Sequence, residues 1–108
     1  MASEEVTVNS SSRYRLPSNS TMQHAAKFAI MDDRPIMLDY WADSLDKEII
    51  IGKYDNGEKI LVRATDEYTS PIKKMFQCSG EWIILTENSI YIVDKEIESR
   101  MIGNSNEQ

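Results

Sequence analysis

The chain has 108 residues, a net charge of −6, and 41% hydrophobic against 28% charged residues. That is the size and composition of one small globular domain, and no apolar run approaches the ~18 residues of a membrane-spanning helix. A single cysteine excludes an internal disulfide, and one cysteine with one histidine falls short of the about four ligands of a structural zinc site. The acidic balance opposes general nucleic-acid binding.

Residues 1–20 read as a flexible tail rich in serine and asparagine, too poor in apolar surface to offset the entropy of ordering. Its start, Met1-Ala2-Ser3-Glu4-Glu5, predicts no secretory signal. Arg13-Tyr14-Arg15 is its one stretch with binding chemistry, two guanidiniums around an aromatic. Residues 1–24 are neutral, with Glu4 and Glu5 against Arg13 and Arg15, so the whole net charge falls on the body. A single domain is expected over 21–102, and 103–108 form a second, shorter tail.

Ser20-Thr21-Met22-Gln23 fits a capping box, and Met22, Ala25, Ala26, Ala29 and Ile30 recur at helical spacing. This predicts a short helix broken at Asp32-Asp33-Arg34-Pro35. Beyond Pro35 the texture changes to strands. Ile36–Tyr40 reads as a strand and Trp41–Lys47 as an acidic loop. Glu48–Tyr54 and Glu58–Ala64 flank Asp55-Asn56-Gly57, and Asn-Gly is the strongest short hairpin signal. Thr65–Pro71 reads as a loop.

Ile72–Cys78, Glu81–Thr86 and Ser89–Asp94 follow as strands separated by turns at Ser79-Gly80 and Glu87-Asn88. The last two are apolar on both faces, which predicts central positions. Asp94 with Ile97, Met101 and Ile102 suggests a final short helix stopped by Gly103. The expected class is α+β, mostly antiparallel β. About five strands form a meander, a curled sheet or a small barrel, with a short helix at each end.

Chemistry-bearing residues are sparse. His24 has no nucleophile or carboxylate beside it in sequence, and Cys78 reads as a small buried residue. Asp32, Asp33, Asp39, Asp43 and Asp46 lack the spacing of a calcium loop and read as solvated charges. Gly52, Gly57, Gly80 and Gly103 are accounted for by turns, a bulge or a helix end, leaving no phosphate-cradling loop. Thr69-Ser70-Pro71 fits a proline-directed phosphorylation site. Trp82 and Tyr91 are expected in the core. Tyr40, Trp41 and Tyr68 belong either to the core or to an exposed anchor surface, where tyrosine and tryptophan are over-represented.

Glu67-Tyr68-Thr69-Ser70-Pro71-Ile72, Thr86-Glu87-Asn88-Ser89-Ile90-Tyr91-Ile92-Val93 and Arg34-Pro35-Ile36-Met37-Leu38-Asp39-Tyr40 are unusual wordings. In them the chain resembles short uncharacterised proteins of large nucleocytoplasmic DNA viruses. The resemblance implies a small viral protein of the host cytoplasm or the virion, and it carries no activity or site residue with it.

The expectation is a non-enzymatic structural or interaction protein without cofactor, metal or small-molecule substrate. It docks on a protein partner or a second copy through its sheet and tail, with Arg13, Tyr14, Arg15, Tyr40, Trp41 and Tyr68 as candidate interface. The alternative is a small regulatory module that binds a peptide or a single-stranded nucleic acid. The latter requires Lys59, Lys73 and Lys74 to converge in the fold.

Overall fold

A computed structural model describes residues 15–64 and 66–103. Helix α1 spans Asn19–Asp32. Its cap is Ser18, two residues before the serine expected to fill that role, and the Ser18 side chain accepts from the Thr21 N–H. The helix stops with Asp33 in the left-handed conformation (φ 54°), immediately ahead of Arg34 and Pro35. Thr21 and Ala25 are buried, and Met22, Phe28 and Ala29 pack beside them. Ala26 and Ile30, expected on the same stripe, face solvent instead.

Strand β1 is short, Ile36–Met37. The acidic stretch that follows folds into helix α2, Trp41–Leu45, where a loop was expected. Ser44 explains the difference. It is fully buried, and its hydroxyl donates to the Trp41 carbonyl while accepting from the Asp94 N–H, which docks the turn on the body.

Strands β2 (Ile50–Lys53) and β3 (Lys59–Ala64) form the expected hairpin. Asn56 Oδ1 accepts from Glu58 N–H, and Gly57 takes the positive φ of 93° that the turn demands. Strand β4 is the pair Glu67–Tyr68, lodged in the expected loop. Then come β5 (Ile72–Cys78), β6 (Glu81–Thr86) and β7 (Ile90–Asp94), close to their expected limits. The last element is not a helix. Glu98–Met101 is strand β8, pairing in parallel with β2.

The single five-strand meander is therefore corrected to two mixed four-stranded sheets, ordered β1-β7-β6-β5 and β4-β3-β2-β8. The physical reason lies in β6 and β7. Both are apolar on both faces, so one sheet face cannot be left to water. Ile83, Leu85, Ile90 and Ile92 pack under α1 and Trp41. Ile84 and Val93 face the second sheet, meeting Ile49, Ile51, Leu61 and Ile97. The result is three layers, with the first sheet in the middle. Trp82 and Tyr91 are half-buried against the inter-sheet core.

Candidate interaction site

The site is built on β5. Among the described residues it is the longest strand, at seven residues, and lies at the edge of the first sheet, bonded on one side only, to β6. An edge strand presents unpaired N–H and C=O groups on its outer side. Lys73, Lys74, Phe76 and Gln77 are exposed, in contrast to the buried strands β6 and β7. A bulge interrupts the β5–β6 register between Ile72 and Lys74. Phe76 stacks on Phe28 of α1, ring centroids 4.7 Å apart.

The β2–β3 turn reaches the same edge. Gly57 and Lys59 join Ile72, Lys73, Lys74 and Met75 around an open cleft of about 240 Å³. The three lysines thus come together in space. Lys73 pairs with Glu87 at 3.4 Å, both side chains half-exposed. Lys59 and Lys74 pair with no carboxylate among the described residues. Every described arginine, by contrast, is matched: Arg15 to Glu81 and Asp94, Arg34 to Asp32, Arg63 to Asp43 and Glu67, Arg100 to Glu98. Among the described residues the guanidiniums are spent internally, whereas Lys27, Lys47, Lys53 and Lys95, like Lys59 and Lys74, pair with no described carboxylate.

The candidate anchor residues separate. Tyr40 and Trp41 are 4% and 6% exposed, so neither belongs to an exposed anchor surface. They are adjacent in sequence but point into different cores, Tyr40 between the sheets and Trp41 under α1. Burial is the first cause that pushes the Tyr40 phenol up, to about 12, followed by the neighbouring Tyr91. Tyr68 is 60% exposed and stands on the outer side of the second sheet. It lines an apolar groove of about 320 Å³ with Tyr54, Ile60, Val62 and Ile102. Arg13 and Tyr14 lie outside the described residues.

Arg15, expected to bind a partner from a flexible tail, packs on its own body. Its guanidinium reaches Glu81 at 2.7 Å and Asp94 at 2.9 Å, and lies 5.0 Å above the Trp41 ring. The Trp41 indole N–H donates to the Arg15 carbonyl. Glu81 is 1% exposed and also accepts from the Ser18 and Thr21 hydroxyls. Burial pushes its carboxyl up, but the bonds from Thr21, Arg15 and Ser18 outweigh this and hold it below the ordinary carboxylate value. Sequence reasoning missed Glu81 because an acid at a strand start carries no sign of burial.

Cys78 and His24, far apart in sequence, lie together: Sγ is 3.8 Å from Nδ1 and 3.5 Å from the Ser20 hydroxyl. Hydrogen bonds from Ser20 first, then Thr21, draw the thiol below its usual range. Nδ1 also lies 2.8 Å from the Ser20 carbonyl oxygen, which can only accept. That contact is a hydrogen bond when Nδ1 carries the ring proton.

Thr69 is buried at 7%, and its hydroxyl accepts from the Leu61 N–H and donates to the Ser70 carbonyl. It is a structural residue; the acceptor position of the proline-directed pattern, Ser70 before Pro71, is half-buried. Asp32 and Asp43 are drawn to Arg34 and Arg63, and no three His, Cys, Asp or Glu side chains gather as metal ligands among the described residues. Nor is any described helix long and apolar enough to cross a membrane.

No family model matches this chain, and no curated protein or solved structure matches it either.

Proposed function

We propose that this chain is a non-enzymatic interaction module that captures an extended polypeptide segment along the outer edge of β5. One observation carries the reading. Among the described residues the longest strand lies at an edge, is mostly exposed, and is bonded to a neighbour on one side only. A strand added there gains main-chain hydrogen bonds, and its alternate side chains are read by the two faces of the sheet. The likeness to short proteins of large nucleocytoplasmic DNA viruses supports a host-cytoplasmic or virion setting for this capture.

The test is to pan a random peptide library against the full chain and map bound peptides by amide hydrogen exchange. Enriched peptides that slow exchange at Met75 and Gln77 support the reading. No enrichment, or protection confined to the groove at Tyr68, overturns it.

A second reading, single-stranded nucleic acid on the same edge, is favoured by the meeting of Lys59, Lys73 and Lys74 and opposed by the net charge of −6. Binding of a labelled oligothymidylate, lost steeply with salt, would support it.

A further inference from the structure

Resting on that edge-capture reading, we infer that the segment taken by β5 is an acidic strand. The argument begins from charge. In a chain of net charge −6, three lysines surround one cleft beside the edge. Two of them have no carboxylate among the described residues, although all the described arginines do. The cleft wall at Gly57 is open, since a side chain built there would meet nothing within 4 Å. Incoming carboxylates therefore have both counter-charges and room.

Geometry places an ammonium group on each face of the edge. Successive side chains of a strand laid along β5 point to opposite faces. One set meets the inter-sheet side with Met75 and Lys59, and the other meets the α1 side, where Lys74 stands beside the Phe76 that stacks on Phe28. A carboxylate on either face therefore finds an ammonium group, Lys59 on the first and Lys74 on the second.

The same charges decide what is turned away. Lysines and bulges on edge strands hinder pairing with a copy of the same edge. Two β5 edges paired antiparallel over their full length would set Lys73 opposite Gln77 and Lys74 opposite Phe76, gathering four like charges along one seam. An acidic strand meets attraction where a second copy meets repulsion, so one set of residues both recruits and excludes.

Glu87 is an internal competitor. It holds Lys73 at 3.4 Å through an exposed pair, which a partner carboxylate can displace because such pairs are worth little. Removing Glu87 frees the third lysine.

The experiment uses the full chain and three soluble peptides of alternating pattern: Glu/Val, Gln/Val and Lys/Val. At about 0.05 M salt the Glu/Val peptide is expected to bind about tenfold tighter than Gln/Val, and at about 1 M the gap closes. The variant Lys59→Gln/Lys73→Gln/Lys74→Gln should close the gap at low salt, while Glu87→Gln widens it. Because the three lysines lie at the surface, circular dichroism serves as the folding control, and Glu87→Gln reads the opposite sign.

Equal binding of Glu/Val and Gln/Val overturns the acidic selection and leaves edge capture standing. Binding of none of the three overturns both. An oligothymidylate that outcompetes the Glu/Val peptide overturns the choice of polypeptide, and self-association of the chain by light scattering overturns the exclusion of a second copy.

Discussion

Arg15 Nη1 lies 2.7 Å from Glu81 Oε2, joining the residue where the described chain begins to a nearly sealed carboxylate on β6. The guanidinium is itself half-exposed, so the pair gains less than a wholly buried one. Its loss, however, leaves a buried carboxylate served by Ser18 and Thr21 alone. Arg15→Ala is expected to cost about 2 kcal/mol in urea unfolding. Arg15→Lys should recover only part of this, because an ammonium cannot fork between Glu81 and Asp94. An unchanged midpoint for Arg15→Ala would refute the anchor.

Glu81 also sets an acid limb. Its carboxyl titrates below the ordinary 4.5 in the folded chain. The folded state therefore binds fewer protons than the unfolded one in that region, and stability falls as the pH drops through the folded value. The contribution is complete above about pH 5 and shrinks below it. Glu81→Gln is expected to flatten the acid limb of a plot of urea midpoint against pH. An unchanged slope would assign acid lability to other carboxylates.

Tyr40 gives the opposite limb. Its phenol is raised to about 12, burial leading and Tyr91 next, so the folded chain keeps a proton that the unfolded chain loses near 10. Stability present below about pH 10 is lost as the pH rises toward 12. Ultraviolet titration of tyrosinate should show this late ionisation, and Tyr40→Phe should remove it.

Thr69→Val tests the buried hydroxyl. The Leu61 N–H, in the inter-sheet core, donates to Thr69 Oγ1 at 3.1 Å. Valine keeps the shape and removes the acceptor, at an expected cost of about 1–3 kcal/mol. Thr69→Ser should stay near the parent stability. Equal loss in both variants would point to the methyl group rather than the hydrogen bond.

The hairpin at Asn56-Gly57 and the strands Ile72–Cys78 and Glu81–Thr86 are legible because their signals are local: turn residues and runs of β-branched side chains. Strand β8 is not. Ile97, Met101 and Ile102 suit a helix face, yet the segment pairs with β2, and Ile102 settles over Gly52, where an added Cβ would lie 2.6 Å from its Cδ1. That fit depends on a glycine far back in the chain, and helical spacing cannot register it. Trp41 and Ser44 mislead in the same way, because an acidic stretch conceals a turn whose buried serine is held by Asp94. The lysines of the cleft are visible in sequence, but their meeting depends on the β2–β3 turn bending toward β5.

The two parallel pairings interlock. Ile36 sits beside Ile90, and Ile50 beside Glu98, so each early strand waits for a late one. Neither sheet can be completed from a contiguous stretch of chain. Folding must therefore close large loops before much apolar burial rewards them, which slows the search. A chain caught before β8 docks would bare the outer edge of β2 and the groove beneath Ile102. Aggregation during refolding, rather than slow unfolding, is the hazard written into this topology.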